Sequence, residues 1–409
     1  MIGIFANRSA KQVQRQEIQA AADTMVHRGP DDGASYFSKD GRFGVGYRRL
    51  SIVDIAGGRQ PLISRDGAIC VTVNGEIYNH KDLRKELEAL GHEYTTNSDS
   101  EAVLHGYEEW GNNVVKRLKG MFALAVYDSN GGPDRRGKLL LARDRIGIKP
   151  MYYSETFDGV IYGSEIKAIL KCGAVSREPD LKAVANYLTL SATPSPQTMF
   201  SGINKLPPGH IAIADLNGRF EIEKYWSSLD YRIDLSGATE GEIVDQVLEK
   251  ITASIEMRLM TDVPFGVFLS GGVDSSLNLA LMSQMVSEPI DTFSVALEDD
   301  DASNENQYAR SVASKFGANH HEILVTQKQF TDFLPEMAYY QDEPLADPVC
   351  VPLYYLSSLA KSTGATVVHV GEGADELFAG YGNYALMNDF HRFLYKPFSG
   401  LPYFFKRLI

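Results

Sequence analysis

The apolar residues of this 409-residue chain change rhythm once, near residue 235, and that change does most to limit the folds open to it. Residues 1–225 read as short strands with tight turns: GRFGVGYRRLSIVD, AICVTVNGEIYN, MFALAVYDS and KLLLARDR are rich in β-branched and apolar residues and bounded by Gly, Asp or Asn. Helical patches interrupt them. KDLRKELEALG carries Leu83, Leu87 and Leu90 at helical spacing with Gly91 as a stop, and SEAVLHGYEEWG ends on a glycine in the same way. The pattern predicts layered α+β, sheets covered by helices.

Beyond the polar stretch WSSLDYRIDLSGATEGE, strand and helix alternate. EIVDQVLEKITASIEMRLM is a long amphipathic helix, followed by the strand VPFGVFL, the loop SGGVDSS and the helix SLNLALMSQMV. A strand at DTFSVAL, a helix at QYARSVASKFG and strands at HHEILV and ATVVHV complete the series. Such alternation predicts a parallel, doubly wound α/β sheet. The expected division is 1–225 and 236–409.

Composition removes some classes of function. Net charge of -13 and a pI near 5.2 argue against a nucleic-acid or anionic-membrane partner. They do not argue against ATP, whose phosphates can be held by backbone N–H groups and a metal. Cys70, Cys172 and Cys350 are odd in number and widely spaced, with no zinc or disulfide pattern, which favours a reducing compartment. The apolar run Ile2 to Ala6 is too short for a signal peptide or a membrane span, so a cytoplasmic protein is expected.

Two loops in the second half carry chemistry. FLSGGVDSS sets Ser270, Gly271 and Gly272 between an apolar strand and a helix, where a curled backbone and free helical N–H groups suit an anion. Asp274 beside phosphates is repulsive unless a cation bridges them, which suggests Mg²⁺. There is no GKS or GKT, so this is not a Walker A loop. The bland alternative is a Gly-rich turn with a capping serine. GEGADELFAGY also follows an apolar strand, and both loops should emerge at the carboxyl edge of one parallel sheet, where such sheets bind ligands. There Asp375 would be a second metal ligand and Glu372 a candidate for catalysis.

SGGVDSS resembles the pyrophosphate-binding loop of the PP-loop ATP pyrophosphatases. The set FLSGGVDSS, FSVAL, DEPLADP and GEGADELFAGY resembles the synthetase domain of glutamine-hydrolysing asparagine synthetases. The resemblance implies that ATP adenylates the aspartate side chain, releasing pyrophosphate, and that ammonia then displaces AMP. It implies that Leu269 and Val295 contact the nucleotide, and that Ser270, Gly271, Gly272, Asp274, Ser275 and Ser276 hold its phosphates. Val370 and Gly371 would line the pocket, with Asp274 and Asp375 around Mg²⁺. Family members continue well past GEGADE, through helices supplying a basic residue to the pyrophosphate, whereas this chain stops at PYFFKRLI. A shortened synthetase domain is therefore expected, with an aromatic-rich ending that exposes apolar surface unless more protein covers it.

HRGPDD, RRLSIVD, VNGEIYNH, SDSE and ARDRIGIKPMYY, in this order, resemble a class II glutamine amidotransferase domain. Each alone would be an ordinary turn or hairpin bend. The implied fold is an Ntn-hydrolase-type αββα sandwich followed by the PP-loop α/β domain. Within it, Arg49 would fork the glutamine α-carboxylate, and Glu76 with Asp99 would hold its ammonium. Asn74 and Gly75 would donate to the tetrahedral oxyanion, and the main chain along Leu50, Ser51, Ile52 and Val53 would complete the wall. The resemblance also implies glutamine, aspartate and ATP as substrates, and leaves a homodimer possible.

The family's nucleophile is a cysteine directly after the initiator Met, whose own α-amino group can take the thiol proton. Here that position is Ile2. Cys70, in the alternating AICVTV, is expected in the core rather than at a catalytic centre. Three explanations stand. Glutaminase activity is lost, leaving an ammonia-dependent or β-lactam-synthetase-like enzyme; or the start is displaced, since GIF falls a few residues early against the family opening MCGIAGIF; or the domain is a non-catalytic remnant. Retention of the whole set Arg49, Asn74, Gly75, Glu76 and Asp99 favours the displaced start. A PP-loop enzyme acting on tRNA is the competing class, disfavoured by charge and by the partner domain.

Overall fold

Period-two alternation along the N-terminal strands decides the architecture of the first half. The computed structural model describes residues 1–131, 137–298 and 303–400. Twelve strands, β1 (Ile2–Phe5), β2 (Asp32–Phe37), β3 (Phe43–Arg49), β4 (Leu62–Ile63), β5 (Ile69–Ile77), β6 (Gly120–Asp128), β7 (Lys138–Arg143), β8 (Tyr152–Glu155), β9 (Val160–Gly163), β10 (Asn204–Lys205), β11 (His210–Asp215) and β12 (Phe220–Lys224), build two six-stranded sheets. Their orders are β10-β8-β9-β1-β3-β2 and β12-β11-β7-β6-β5-β4, with antiparallel pairing between neighbours.

One face of each strand meets the other sheet, and the opposite face meets helices. Along β6, Ala123, Ala125 and Tyr127 join Phe5, Phe43, Leu139 and Leu141 between the sheets. Phe122, Leu124 and Val126 face outward, against Leu83 and Leu87 of the helix His80–Ala89 and Val103 and Tyr107 of Glu101–Trp110. Small alanines on one inner face accommodate the aromatics, and the rings of Phe43 and Tyr127 stack with centroids 4.3 Å apart. On the far side Ile2, Ile161, Ile166 and Ile169 pack with Ala21, Ala22 and Met25, under the helices Arg15–Asp23 and Ile166–Lys171. The result is the expected αββα sandwich.

The second sheet system is parallel. β13 (Phe265–Phe268), β14 (Asp291–Leu297), β15 (Asn319–Val325) and β16 (Val367–His369) lie in the order β15-β14-β13-β16. β13 and β16 are direct neighbours, so the loops that follow them leave the same edge side by side. Phe268, Phe293, Leu356, Ala360 and Ala365 form the core.

The chain divides into two compact units, Met1–Val263 with Lys328–Val351, and Pro264–Gln327 with Pro352 onward. DEPLADP, read from the sequence with the second half, therefore packs with the first unit. Lys205 Nζ meets Glu343 Oε1 at 2.5 Å, Lys167 Nζ meets Asp342 Oδ1 at 3.0 Å, and the Ala346 N–H donates to the Ser191 carbonyl at 3.1 Å.

Both expected helices form, with their apolar stripes only partly covered. Leu90 is exposed, because the helix ends at Ala89 and the chain turns away before Leu90 can join Leu83 and Leu87. The long helix Glu240–Arg258 buries only Ile255; its Val244 and Leu248 are exposed. Of the aromatic ending, Phe390, Phe393 and Leu394 are exposed as expected, while residues 401–409 lie outside the described residues. No helix among the described residues is long and apolar enough to cross a membrane.

Candidate functional site

In the first unit, the candidate pocket forms where β5 runs past its short partner. β4 pairs only with Cys70 and Val71, so from Thr72 onward that side of β5 has no strand beside it. The side-chain amide of Gln60 takes the place of one: its Oε1 accepts from Val73 N (2.7 Å) and its Nε2 donates to Val73 O (3.1 Å). Tyr47 OH donates to the same carbonyl at 2.7 Å. Asn74, Gly75 and Glu76 follow at once.

Gly75 is required by geometry. Its φ is +145°, and a Cβ there would stand 1.9 Å from the Met121 carbonyl oxygen. Asn74 Nδ2 donates to Ser164 Oγ at 3.4 Å, a long bond that leaves the amide able to serve another acceptor.

Arg49 is buried at the end of β3, and the turn that follows fixes its guanidinium. Nη1 donates to Ile55 O (3.0 Å), and Nη2 to Val53 O (3.0 Å) and Asp54 O (2.8 Å). These bonds use three of its five N–H groups. Leu50, Ser51, Ile52 and Val53 form that turn: Ser51 N donates to Asp31 Oδ2 (2.7 Å), and Ile52 O accepts from Asp262 N (2.9 Å). Leu50 is exposed.

Two carboxylates complete the pocket. Asp99 is buried, accepting at Oδ2 from Ile77 N (2.6 Å) and at Oδ1 from the hydroxyls of Ser98 and Ser100 (both 3.4 Å). Burial still raises its pKa above the ordinary range. Glu76 is pushed up to about 8, by burial first and then by the charge of Asp99. Among the described residues its buried Oε2 has no hydrogen-bond partner. Two acids crowded together with an orphaned oxygen suit a cationic guest. Ser98 and Ser100 fall within the quoted SDSE without a role assigned to them; Gln60 and Ser164 are the supporting residues the sequence reading passed over, and nothing in the local pattern marks either.

Ile2, assigned from sequence to the nucleophile position, does not face this pocket. It is fully buried on the helix-covered face of β1, with Ala21, Met25 and Ile166. Alternation turns Met1 toward the pocket instead. Its Sδ accepts from Thr72 Oγ1 (3.2 Å), and its α-amino group donates to Ser164 Oγ (3.2 Å), the oxygen Asn74 also contacts. Burial and the nearby Arg28 lower that amine to about 5. Cys70 is buried between the sheets, and burial pushes its thiol far above the ordinary range.

In the second unit, the loop after β13 is held by its own serines. Ser270 Oγ and Ser275 Oγ lie 3.0 Å apart, and Gly272 N donates to Ser270 Oγ (3.2 Å). Gly271 takes φ +81°, and the helix Val273–Met282 begins at Gly272, with Asp274 in its first turn. Leu269 is tied to the sheet through Phe293 O (2.9 Å). Among the described residues the buried Ser276 Oγ has no partner.

The loop after β16 lies against this one. A Cβ on Gly371 would come within 3.2 Å of Ser275 N and 3.3 Å of Asp274 Cβ, and Val370 O accepts from Asn278 Nδ2 (3.2 Å). Asp375 opens the short helix Ala374–Phe378, Glu372 is exposed, and Val295 is half-buried on β14. Both acidic loops, and the residues expected to hold ATP, thus share one sheet edge.

The first unit is thus an antiparallel αββα sandwich with a candidate charged pocket, and the second a parallel α/β unit with a Gly-rich strand–helix loop. Residues 1–226 match the family model described as a glutamine amidotransferase domain, and residues 246–400 match the one described as asparagine synthase. The chain is 34% identical over 410 residues to asparagine synthetase [glutamine-hydrolyzing] 1 of Bacillus subtilis (strain 168), an alignment covering 100% of this chain and 62% of that protein. It is 32% identical over 387 residues to asparagine synthetase [glutamine-hydrolyzing] 3 of the same organism, covering 90% and 61%. Amidase chry2 of Gibberella zeae is 31% identical over 391 residues, covering 92% and 56%. A solved glutamine phosphoribosylpyrophosphate amidotransferase from B. subtilis, 15% identical, aligns over 79% of this chain and 80% of that one with a TM-score of 0.41.

The chain belongs to the glutamine-hydrolysing asparagine synthetase family. It spans 62% of the length of the first of these relatives and 61% of the second.

Proposed function

We propose that the protein serves ATP-dependent amide transfer, with residues 1–225 binding glutamine and residues 236–409 activating a carboxylate, most simply the side chain of aspartate. The observation that carries this reading is the meeting of the SGGVDSS and GEGADE loops at one sheet edge, with Gly371 against Asp274 and Ser275.

In the first pocket, Arg49 offers its remaining N–H groups to the substrate α-carboxylate, and Glu76 with Asp99 receives the α-ammonium. The ammonium adds to the positive charge of Lys149 and Arg49 near Glu76 and draws both acids toward their ionised forms. Asn74 Nδ2 and Gly75 N donate to the oxyanion that forms as the amide carbon becomes tetrahedral. Losing one such donor costs about 3–4 kcal/mol of transition-state stabilisation. A thiol would have to stand on the pocket face of β1, the face of Met1 rather than of Ile2.

In the second pocket, Ser270 to Ser276 hold the ATP phosphates through backbone N–H groups and hydroxyls, with Leu269, Val295, Val370 and Gly371 around the nucleotide. Asp274 and Asp375 would hold Mg²⁺; hard carboxylate oxygens beside phosphate suit that ion. The ion offsets repulsion between the incoming carboxylate and the phosphates. The aspartate oxygen attacks the α-phosphorus, pyrophosphate leaves, and ammonia attacks the aspartyl-adenylate to give asparagine and AMP. Glu372, exposed in the loop after β16, would take the proton that ammonia sheds.

The absence of a thiol beside Asn74 among the described residues favours a second reading for the chain as it stands: it uses free ammonia. Both readings are tested by lengthening the chain so that a cysteine with a free α-amino group precedes Met1 by two residues. Pairing of Ile2 with Gly46 sets that cysteine opposite Arg49 and on the face of Met1. Glutamate release from glutamine is expected from the lengthened chain and not from the parent. Equal release from both would overturn the pocket assignment.

A further inference from the structure

On the far side of the first unit's second sheet, the turn after helix His80–Ala89 and the helix Glu101–Trp110 bring together two imidazoles and three carboxylates that the proposed reaction does not use. His105 and Glu108 stand one turn apart on one helix face. His105 Nδ1 lies 2.8 Å from Glu108 Oε2, and His92 Nδ1, arriving from the turn, lies 3.3 Å from the same oxygen. The donor atoms of His92, His105 and Glu108 all fall within 4.8 Å of one another. A tetrahedral zinc ion, with Zn–N and Zn–O bonds of roughly 2.0–2.1 Å, separates its ligand atoms by about 3.3 Å. His92 Nδ1 and Glu108 Oε2 already stand at that separation, His105 Nδ1 and Glu108 Oε2 must open from 2.8 Å, and the remaining pair lies within 4.8 Å.

The outer nitrogens carry a second, independent signal. His92 Nε2 lies 3.3 Å from Glu109 Oε2, and His105 Nε2 lies 3.4 Å from Glu101 Oε1. Each imidazole thus turns one nitrogen to the shared centre and the other to a carboxylate, the arrangement that orients metal-bound histidines and raises their basicity. Glu101 is itself locked, accepting from the N–H groups of Thr95 (2.7 Å) and Thr96 (2.8 Å) and from their hydroxyls. The side chain of His105 is only 11% exposed, so its two nitrogens are held against these carboxylates with little water between them. Three carboxylates around two imidazoles also leave an excess of negative charge that a dication would neutralise.

We propose that His92 Nδ1, His105 Nδ1 and Glu108 Oε2 form a structural zinc site, with water in the fourth position and Glu101 and Glu109 as supporting carboxylates. The ion ties the turn Gly91–Ser100, which carries Asp99, to the helix that follows it. Binding at neutral pH displaces any proton held on the two Nδ1 atoms and involves no redox step.

The full chain, stripped with a chelator and dialysed, is titrated with ZnCl₂ by calorimetry, and with CoCl₂ while visible absorption is recorded. One tight equivalent, a rise in Tm and the intense d–d bands of four-coordinate Co²⁺ are expected. His92→Asn, in the surface turn, removes that equivalent, while Glu101→Gln weakens it about 10- to 100-fold. Far-UV circular dichroism establishes that each variant is folded, and His92→Asn carries the test if Glu101→Gln is not. Equal zinc affinity in the parent and a folded His92→Asn, or absence of the cobalt bands, overturns the site and leaves a cluster held by protons alone.

Discussion

Glu76 holds the sharpest electrostatic conflict in the first unit's candidate pocket, with a pKa near 8 beside the buried Asp99. A raised folded-state pKa means that the folded protein takes up the proton more readily than the unfolded chain. That contribution to stability is fully present below about 4.5, the unfolded value, and is lost as pH rises through 8. Stability without ligand should therefore fall across this window, and Glu76→Gln should flatten the fall. At pH 8 the variant should be the more stable protein by about 1–2 kcal/mol, read from urea unfolding at several pH values. Glutamine binding near pH 7 should release protons, because the ammonium favours both ionised acids; calorimetry in buffers of different ionisation enthalpy measures this. Gly75→Ala has no room, with its Cβ 1.9 Å from the Met121 carbonyl, and should destabilise the β5–β6 pairing by about 2–4 kcal/mol. Glu76 and Asp99 were both legible as motif residues. Their conflict was not, because it arises only when the end of β5 meets the turn Ser98–Ser100.

At the scale of elements, local rhythm told strands from helices well, but it could not say which face a strand turns to which neighbour. β1 is the instructive case: Ile2 and Met1 differ by one residue and so lie on opposite faces. Leu90 and the helix Glu240–Arg258 show the same limit, since helical spacing does not specify what, if anything, packs against a stripe. The turn after β7 was visible as RDRIGIKP, but not its anchor. Asp144 accepts from the N–H groups of Ile146, Gly147, Ile148, Lys149 and Phe122. Asp144→Ala should leave these donors without their anion and cost about 3 kcal/mol or more, measured by denaturant unfolding. The segment Lys328–Val351 is held to the first unit by half-buried ion pairs. Glu343→Ala removes the carboxylate beside Lys205, which keeps only the Thr193 carbonyl, and takes from Met199 N its acceptor at 3.0 Å. Amide exchange at Met199 should accelerate about 100-fold, matching a local loss of about 3 kcal/mol.

Over the whole molecule, two ways of arranging strands produce two pockets of opposite demand. Antiparallel sheets with a short edge strand leave Asn74 to Glu76 without a strand beside them, where the proposed reading puts an amide substrate with a charged head. A parallel sheet delivers two loops at one edge, where the proposed reading puts phosphate beside backbone N–H groups and serines and a metal beside Asp274 and Asp375. The order of motifs along the chain made this division readable, because VNGEIYNH ends one clear strand and SGGVDSS and GEGADELFAGY follow two others. The packing of DEPLADP with the first unit was not readable, since it depends on Lys167 and Lys205, far away in sequence. The central claim is that the second pocket activates a carboxylate with ATP. Pyrophosphate and AMP release by the full chain, with ATP, Mg²⁺, ammonium and aspartate, tests it most directly. The account predicts release that requires aspartate and falls at least about 100-fold in Asp274→Asn. Absence of aspartate-dependent pyrophosphate, or equal release from Asp274→Asn, would contradict it.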